Sequence, residues 1–421
     1  MRFDTLDEWL DWQSGLHPSA IDLGLERVAS VWRRLHPTPF PCPVISVAGT
    51  NGKGSCVAFA EAILSAAGYR VGSYTSPHLR RYNERIRVVR EEVDDARICR
   101  AFERIDQARG ATSLTYFEFG TLAALDIFAA AGLDAVVLEV GLGGRLDAVN
   151  IIDADVALIT TVDLDHVEWL GATREEIGRE KAGIMRPGAP VVFAATGDPP
   201  RSVREQARRL GARLLVSGEA FGYRATEQGW EWRAGERVRR SLPIPQLRGA
   251  HQLDNAAAVL MVLESIGHRL PVDQQAVRTG LQDLRLRGRF EIVERSPLVI
   301  LDVAHNVEAA RSLRDNLRRM YSPGPTVAVF AMLGDKDLPG VARLLAPLID
   351  HWYAAPLRGA RSLSVARLLE GLSAAGVDPA QQSGCPSLAG ALEAARTAAG
   401  EEGRVVAFGS FYTVGGVLGL L

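Results

Sequence analysis

Residues 44–68 read VISVAGTNGKGSCVAFAEAILSAAG, which combines an apolar run, a turn of small residues with a single lysine, and a helical pattern. The run Val44–Ala48 predicts a buried strand, and the apolar spacing after the turn predicts a helix that stops at Gly68. Glycines in such a turn let backbone N–H groups approach phosphate oxygens, and the N-terminus of the helix adds a partial positive charge. The stretch therefore predicts a phosphate site between a strand and a helix.

The turn at residues 49–55 contains the residue types that a nucleoside triphosphate needs. Lys53 can reach the β- and γ-phosphates, and the hydroxyl of Ser55 can help to hold a magnesium ion. The turn departs from the common P-loop pattern, because Val47 stands at the first glycine position and Gly54 separates the lysine from the serine. The alternative is a glycine-rich turn without a ligand, but no structural reason requires Gly-Lys-Gly-Ser there.

The length and composition describe an ordinary globular protein with more than one domain. A chain of 421 residues is too long for a single hydrophobic core, and its 47% hydrophobic and 23% charged residues are typical values. The formal net charge of -2 gives no electrostatic reason for a nucleic-acid or membrane partner. We therefore expect small-molecule substrates, with no nucleic acid and no membrane.

The two ends of the chain and its cysteines favour a cytoplasmic protein. The acidic start MRFDTLDEWLDWQ lacks the basic and apolar segments of a signal peptide. The C-terminal RVVAFGSFYTVGGVLGLL is better interpreted as a buried strand and a short helix than as a membrane span. Cys42, Cys56, Cys99 and Cys385 show neither metal-ligand nor disulfide spacing, as expected in a reducing cytoplasm.

Alternation of strand-like and helical patterns predicts an α/β fold in two domains. From residue 44 to about 216, runs that are apolar on both faces alternate with helical patterns, as in a parallel sheet covered by helices. Residues 219–245 are interpreted as a polar β-hairpin region, after which the alternation restarts. We predict an N-terminal P-loop-type ATPase domain with a mostly parallel sheet at 1–287. A smaller, Rossmann-like α/β domain is predicted at 288–421.

Charged residues lie at the carboxyl ends of two predicted strands. Glu139 is near the end of one strand, and His166 follows the next. Open parallel sheets bind ligands outside the carboxyl ends of their strands, so we expect both side chains to converge with the 49–55 turn. A carboxylate, an imidazole and a hydroxyl can form a magnesium site. Taken singly, Glu139 can equally be a structural ion-pair partner, and His166 a capping or core residue.

Lys181 is unusual for its place in the pattern. In residues 173–185, TREEIGREKAGIM, it shares one helical face with Ile177, Ile184 and Met185. A lysine there either extends its amine past the apolar stripe into water or is buried and takes part in a reaction. A buried amine is more easily uncharged and can react, for instance with carbon dioxide. From the pattern alone we favour the extended, solvated lysine.

The predicted C-terminal domain repeats the pattern of polar residues at strand ends. Asp302 and His305 follow the run LVIL, Lys336 follows TVAVFAML, and Ser410 follows VVAF. Two α/β domains with such strand ends suggest a cleft between them. We expect the nucleotide on one side of this cleft and a second substrate on the other.

Motifs along the whole chain stand in the same order as those of a known family: VAGTNGKGS, YTSPHLRRYNERIRV, LTYFEFGTLAAL, LEVGLGGRLDAVN, DHVEWLG, REKAGI, LDVAHN, GDKD and GSFYTVGG. Together they resemble the bacterial bifunctional dihydrofolate synthase/folylpolyglutamate synthase family of the Mur ligase superfamily. The segments AIDLGLERV and SLTYFEFGT are more similar to bifunctional members than to members that only extend the glutamate tail. Arg287 stands where relatives often have proline, which we expect to alter hinge stiffness and not chemistry.

The resemblance implies a set of ligand-binding residues. ATP would be held by Thr50, Asn51, Gly52, Lys53, Gly54, Ser55, Asn255, Arg289 and Asp302. The pterin would be held by Ala20, Ile21, Asp22, Leu23, Thr115, Phe117, Leu146, Asp147 and Ala148. Magnesium would be ligated by Ser55, Ser76, Glu139 and His166. The glutamate side would be served by Asp302, His305 and Ser410.

The resemblance also implies the reaction. It is the ATP-dependent addition of L-glutamate to dihydropteroate, and of further glutamates to reduced folates, through an acyl phosphate. Two magnesium ions are expected, and the chain is expected to act as a monomer. Relatives carry a carbamylated lysine at the position of Lys181, which reverses the interpretation from the pattern. The implied catalytic residues are Lys53, Lys181, Asp302, His305 and Ser410.

Two alternative interpretations of the function stay open at this point. The first is a Mur-type ligase that joins an amino acid to a UDP-sugar peptide, or a family member limited to tail elongation. The pterin-side segments argue against both. The second is a non-enzymatic P-loop switch that binds a nucleotide and a protein partner. The polar strand ends of the second domain argue against it, because such a switch does not need them.

Overall fold

The computed structural model describes residues 2–36, 38–359 and 361–421. The chain forms two compact units, each of which is described by itself. The first unit comprises the residues up to 78 together with 82–246 and 253–284, and the second comprises 79–81, 247–252 and 285–421.

An eight-stranded sheet forms the centre of the first unit. Its strands are β1 (Val44–Ala48), β2 (Val71–Tyr74), β3 (Ile86–Val88), β4 (Glu91–Glu92), β5 (Ala135–Glu139), β6 (Val156–Ile159), β7 (Pro190–Phe193) and β8 (Arg213–Val216). The order across the sheet is β4-β3-β2-β5-β1-β6-β7-β8. All neighbours pair in parallel except β2 with β3 and β3 with β4. The predicted mostly parallel sheet is confirmed.

Ten α-helices belong mainly to the first unit. They are α1 (Leu6–Ser14), α2 (Glu26–Leu35), α3 (Lys53–Ala66), α4 (Asp95–Arg109), α5 (Tyr116–Ala129), α6 (Val167–Leu170), α7 (Arg174–Lys181), α8 (Arg201–Leu210), α9 (His251–Ser265) and α10 (Gln274–Gln282). Every residue of β1 and β5 is buried, because helices cover the sheet. This burial explains why the strands are continuous apolar runs without alternation.

Residues 219–245 form antiparallel hairpins, as predicted, and they also bury aromatic side chains. They form a three-stranded antiparallel sheet of β9 (Gly222–Thr226), β10 (Gly229–Ala234) and β11 (Arg237–Leu242). Trp230 and Trp232 in β10 are fully buried. The indole nitrogen of Trp232 donates to the carbonyl of Ala257 in α9 at 3.0 Å. The predicted β-hairpin region is therefore present, and two fully buried tryptophans lie on one face of this charged segment.

The second unit is a smaller α/β layer structure. Its six-stranded sheet has the order β12-β13-β17-β14-β15-β16, and only β12 and β13 pair antiparallel. The strands are β12 (Glu291–Arg295), β13 (Leu298–Leu301), β14 (Thr326–Phe330), β15 (His351–Ala354), β16 (Gln382–Gly384) and β17 (Arg404–Phe408). The helices are α11 (Val307–Arg319), α12 (Leu338–Leu345), α13 (Val365–Ala374), α14 (Leu388–Ala399) and α15 (Phe411–Leu418).

Side chains on the two faces of this second sheet pack into separate buried clusters. Ile300, Ala328 and Val406 face one cluster, while their strand neighbours Val299 and Val405 face the other. Both faces are therefore covered, as the two-sided apolar pattern predicted. The C-terminal segment forms β17 and α15, as expected. Within the described residues, no helix is long and apolar enough to cross a membrane.

Packing of α10 against α3 supports the helix that follows the 49–55 turn. A methyl group on Gly280 of α10 would lie 2.6 Å from Cα of Ile63, so the two helix backbones are in direct contact. We predict that Gly280→Ala lowers the free energy of unfolding by about 1–3 kcal/mol, because the helices must separate. Urea unfolding measures the change.

The matched control for this prediction is Gly222→Ala. A methyl group there has no heavy atom within 4 Å, and we expect a change of less than about 0.5 kcal/mol. Equal unfolding midpoints for Gly280→Ala and the parent would show that the contact between α3 and α10 relaxes without cost.

Candidate functional site

The candidate phosphate turn begins at Gly49, where β1 leaves the sheet. Its φ of 155° lies in a region that L side chains rarely adopt, and a methyl group there would collide with the hydroxyl of Thr160. That hydroxyl donates to the carbonyl of Asn51 at 2.5 Å. Glycine is therefore required for β1 to turn this close to the segment that follows β6.

Hydrogen bonds join the turn to the residues after β6. The backbone N–H of Thr50 donates to the carbonyl of Thr161 at 2.8 Å, and that of Asn51 donates to the Thr161 hydroxyl at 3.0 Å. The hydroxyl of Thr50 donates to the carbonyl of Asp163 at 3.0 Å and accepts from its N–H at 3.1 Å. The turn thus has one conformation, fixed by a neighbouring strand end.

Helix α3 begins at Lys53, so the turn is shorter than predicted. Gly52 precedes the helix with a φ of 87°, and no side chain among the described residues caps this end. The first N–H groups of a helix lack intrahelical partners and form a natural anion site. A methyl group on Gly52 would lie 2.7 Å from Oδ1 of Asn255, so this α9 residue contacts the turn, as the ATP set requires. Ser55 is buried in the first helical turn.

The Lys53 amine is held above the turn by backbone oxygens. Its Nζ donates to the carbonyl of Gly49 at 2.9 Å and to that of Thr50 at 3.1 Å. Both acceptors are uncharged, so a phosphate would be a stronger partner for the amine. The lysine amine therefore lies beside the N–H groups at the start of α3 that lack intrahelical partners. It can exchange its carbonyl partners for an anion.

Two of the predicted magnesium ligands are in contact. Glu139, the last residue of β5, is buried, and its Oε2 accepts from the N–H of Ser76 at 3.3 Å. Val47 of β1 pairs in register with Glu139 and with Leu158 of β6, so the carboxyl ends of these strands are adjacent. The structure therefore places Glu139 and Ser76 near the strand end that leads into the turn.

His166 lies just before α6, on the segment that follows β6. Its backbone is left-handed, with a φ of 51°, and its side chain is 34% exposed with Nε2 3.9 Å from Oδ1 of Asp165. Among residues 2–36, 38–359 and 361–421, no three His, Cys, Asp or Glu side chains are grouped as a metal site. The predicted set has one carboxylate and one imidazole with two hydroxyls. Such donors fit a hard cation that keeps some of its waters.

Lys181 is buried, so the solvated lysine that the pattern favoured is wrong. Only 3% of the residue is exposed, and Ile177 on the same face is fully buried. A methyl group on Gly144 would lie 3.3 Å from Cα of Lys181, and the N–H of Arg145 donates to the carbonyl of Glu180 at 2.8 Å. The glycine-rich loop after β5 therefore packs on the end of α7 and covers the lysine.

The first two predicted pterin segments are joined by an arginine. Arg27 pairs with the Asp22 carboxylate at 2.7 Å and with Oε1 of Glu118 at 3.1 Å. Glu118 and Thr115 form a capping box at the start of α5. The loop that contains Ala20, Ile21, Asp22 and Leu23 is thereby attached to the helix start that contains Thr115 and Phe117.

The third pterin segment lies beside Phe117. A methyl group on Gly141 would be 2.5 Å from Cζ of Phe117, so the ring contacts the backbone after β5. Asp147, between Leu146 and Ala148, accepts from the N–H of Leu142 at 2.8 Å and of Val149 at 3.0 Å. Burial raises the pKa of Asp147 to about 7, although these backbone hydrogen bonds lower it. The pterin segments therefore share one neighbourhood with a carboxyl group that titrates near neutral pH.

The predicted residues of the second unit also lie together. Oδ2 of Asp302 accepts from the N–H of Phe290 at 3.0 Å, and Oδ1 accepts from that of Ala304 at 2.8 Å. Burial raises the pKa of Asp302 to about 6, while these bonds and Arg289 lower it. The carboxylate therefore fixes the backbone on either side, next to Arg289 and His305.

His305 and Ser410 are oriented by local bonds. Nδ1 of His305 lies 2.9 Å from the carbonyl of Val303, which can only accept, so Nδ1 carries the proton in this contact. This contact fixes the orientation of the ring through Nδ1. The Ser410 hydroxyl caps α15 by accepting from the N–H of Thr413 at 3.0 Å.

Residues that the sequence did not single out hold the predicted ones in place. Thr160 and Thr161 fix the turn, and Arg27 joins two of the predicted pterin segments. The ring of Phe411 lies beside the predicted Arg289, with 5.2 Å between the ring centroid and the guanidinium. The adjacent threonines directly after an apolar strand were a usable signal, because open sheets bind ligands there. The role of Arg27 in joining the segments had no signal in the sequence, since its second partner, Glu118, is 91 residues away.

Comparisons with known proteins agree with this geometry. Residues 47–263 match the Mur ligase middle domain, and residues 288–411 match the glutamate ligase domain of Mur ligases. The dihydrofolate synthase/folylpolyglutamate synthase of Escherichia coli strain K12 is 44% identical over 418 residues, which cover 98% of this chain and 94% of that enzyme.

Solved structures extend the similarity to the whole fold. Escherichia coli FolC in complex with DHPP and ADP has a TM-score of 0.93 and 43% identity, covering 99% of this chain and 97% of that one. A bifunctional folylpolyglutamate synthase/dihydrofolate synthase with Mn, AMPPNP and L-glutamate bound has a TM-score of 0.90 and 45% identity, covering 99% and 98%. The resemblance drawn from the motifs is confirmed. The chain belongs to the dihydrofolate synthase/folylpolyglutamate synthase family of Mur ligases.

Proposed function

We propose that this protein is an ATP-dependent ligase that joins L-glutamate to dihydropteroate, forming dihydrofolate, and adds further glutamates to reduced folates. The observation that carries the proposal is the turn at the start of α3, where Lys53 and the orphan N–H groups lie beside Asn255. Relatives that cover almost the whole chain are solved with DHPP and ADP, and with Mn, AMPPNP and L-glutamate. Small-molecule substrates therefore suffice for its activity.

The reaction needs activation of a carboxylate. A carboxylate resists attack by an amine because it is anionic and has a poor leaving group. In the proposed first step, an oxygen of the folate carboxylate attacks the γ-phosphorus of ATP, and ADP leaves. In the second, the amino nitrogen of glutamate attacks the acyl carbon, and phosphate leaves as the amide forms. The first step depends chiefly on positioning and on charge neutralisation.

We assign the positioning of ATP to the turn and to three further polar residues, Asn255, Arg289 and Asp302. The orphan N–H groups at the start of α3 would receive phosphate oxygens, and the Lys53 amine would leave the carbonyls of Gly49 and Thr50 for the same phosphates. The full set is Thr50, Asn51, Gly52, Lys53, Gly54, Ser55, Asn255, Arg289 and Asp302. A single well-placed donor of this kind changes a rate by about a hundredfold or more.

A divalent metal ion fits the oxygen-rich donor set beside the turn. We propose that Ser55, Ser76, Glu139 and His166 hold magnesium, two ions in all. Magnesium, when bound, neutralises the charge that develops on the transferred phosphoryl group. The contact between Ser76 and Glu139 supports this assignment, because it orients a carboxylate oxygen at the end of β5.

Lys181 is proposed to be carbamylated. The amino nitrogen would attack carbon dioxide and lose a proton, which places a carboxylate at the end of a buried side chain. The sequence contains only three lysines among its 48 basic residues, and two of them are Lys53 and Lys181. An arginine cannot form a carbamate, so the retention of lysine at this buried position supports the proposal.

The remaining assignments concern pterin and glutamate. The neighbourhood of Ala20, Ile21, Asp22, Leu23, Thr115, Phe117, Leu146, Asp147 and Ala148 would bind the pterin. His305 would accept the proton of the glutamate amine at Nε2, with Asp302 and Ser410 on the same side. Residues 1–287 would thus form the ATP- and pterin-binding domain and 288–421 the glutamate-ligase domain. We expect a cytoplasmic monomer.

The decisive experiment incubates the purified protein with dihydropteroate, L-glutamate and MgATP and determines the mass of the products. We expect dihydrofolate and stoichiometric ADP, and Lys53→Ala should abolish both while the protein still unfolds cooperatively. Arg224→Ala, which removes an exposed cation of β9, is the matched control and should retain full turnover. Turnover near the parent level in Lys53→Ala would remove the turn from the mechanism. If the protein adds glutamate to tetrahydrofolate but forms no dihydrofolate, its function is restricted to elongation of the glutamate tail.

Carbamylation of Lys181 has its own test. In isotopically labelled bicarbonate, the parent protein should show a carbamate carbon signal by NMR that Lys181→Ala lacks and Lys336→Arg retains. Acetate or formate should partly restore turnover to Lys181→Ala, because a small carboxylate can occupy the vacated space. An unmodified amine together with parent-like turnover of Lys181→Ala would contradict the assignment.

A further inference from the structure

Backbone hydrogen bonds hold three turns of the second unit together. The N–H of Val303 donates to the carbonyl of Gly288 at 3.0 Å, and the N–H of Gly409 donates to that of Ala304 at 3.0 Å. Asp302 accepts from the N–H of Phe290, as described above. The turns that contain Arg289, His305 and Phe411 are therefore fixed relative to each other.

Phe411 contacts two of the functional side chains in this frame. Its ring is partly buried and packs on the cluster that contains Val414 and Leu418. The Arg289 guanidinium carbon is 5.2 Å from the ring centroid, within the range of a cation–π contact. The His305 ring centroid is 6.1 Å away, with an interplanar angle of 55°. The ring thus has an apolar side in the core and contacts a cation.

We propose that Phe411 is a positioning residue, whose ring holds the Arg289 guanidinium in the orientation in which it receives the nucleotide. The inference rests on the proposed function, because that function assigns Arg289 to ATP. An arginine side chain is long and flexible, and fixing its rotamer before the ligand arrives reduces the entropy lost on binding. The aromatic face suits a planar guanidinium, which stacks on rings more readily than an ammonium does.

Replacing the Phe411 ring is expected to change the KM for ATP and not the KM for glutamate. His305 has an independent constraint in the bond from Nδ1 to the Val303 carbonyl, so its orientation does not depend on the ring. Asp302 is likewise held by the N–H groups of Phe290 and Ala304. The Arg289 guanidinium also donates a long hydrogen bond from Nη1 to the carbonyl of Gly288 at 3.4 Å, which does not set the plane of the group. Removing the aromatic face should therefore loosen the guanidinium and leave His305 and Asp302 in place.

The test compares Phe411→Leu, which keeps an apolar side chain, with Phe411→Tyr, which keeps the aromatic face. Phe411→Leu should raise the KM for ATP about two- to fivefold, the equivalent of one cation–π contact at a partly exposed site. The KM for glutamate and kcat should stay within about twofold of the parent, on the same reasoning. Phe411→Tyr should restore the parent KM for ATP. If Phe411→Leu does not fold, Phe411→Met replaces it.

A double-mutant cycle separates positioning from packing. In an Arg289→Gln background, Phe411→Leu should produce no further increase in the KM for ATP, since its effect acts through the arginine. An unchanged KM in Phe411→Leu, or an equal loss in both backgrounds without rescue by tyrosine, would overturn the inference. A parent protein that forms no dihydrofolate would instead refute the proposed function.

Discussion

The contact between Gly49 and the Thr160 hydroxyl is the constraint on which the candidate site of the first unit depends. It lets β1 leave the sheet beside the end of β6, and the hydrogen bonds of Thr50 and Asn51 to Thr161 then fix the turn. Helix α3 consequently begins at Lys53, with its unpaired N–H groups at the carboxyl edge of the sheet. The support of α3 by α10 holds this edge in place.

Functional side chains in both units are oriented mainly by backbone groups. The Lys53 amine lies on two carbonyls, while Asp147 and Asp302 each accept from backbone N–H groups. Such partners are uncharged backbone groups of the turns that follow or precede the strands, so they fix geometry without neutralising the side chain. A phosphate or substrate can then supply the stronger, charged partner. The same logic applies to Arg289, which meets the face of Phe411.

Much of this arrangement was predictable from the sequence, because parallel strands that are buried on both faces produce long apolar runs. The runs located the strands, and the polar residues directly after them mark the edge at which open parallel sheets in general bind ligands. Helical periodicity did not distinguish a solvated from a buried Lys181, since both place the residue in the same row. The loop around Gly144 that covers it comes from a distant part of the chain.

The segment at 219–245 shows a second limit of pattern analysis. It has nearly as many charged residues as apolar ones, yet the side chains of Trp230 and Trp232 form the buried face of β10. Ser410 was assigned to the glutamate side, and that role stays a prediction. In the structure its hydroxyl caps α15. Long-range contacts decide the burial of Lys181 and of the two tryptophans, and a single sequence does not contain them.

The most direct measurement of the central claim is a crystal structure of the protein with AMPPNP and magnesium. We expect the phosphates to lie against the N–H groups at the start of α3, with the Lys53 amine moved from the carbonyls of Gly49 and Thr50 onto a phosphate oxygen. A nucleotide bound elsewhere, or a lysine that still rests on those carbonyls beside it, would contradict the account.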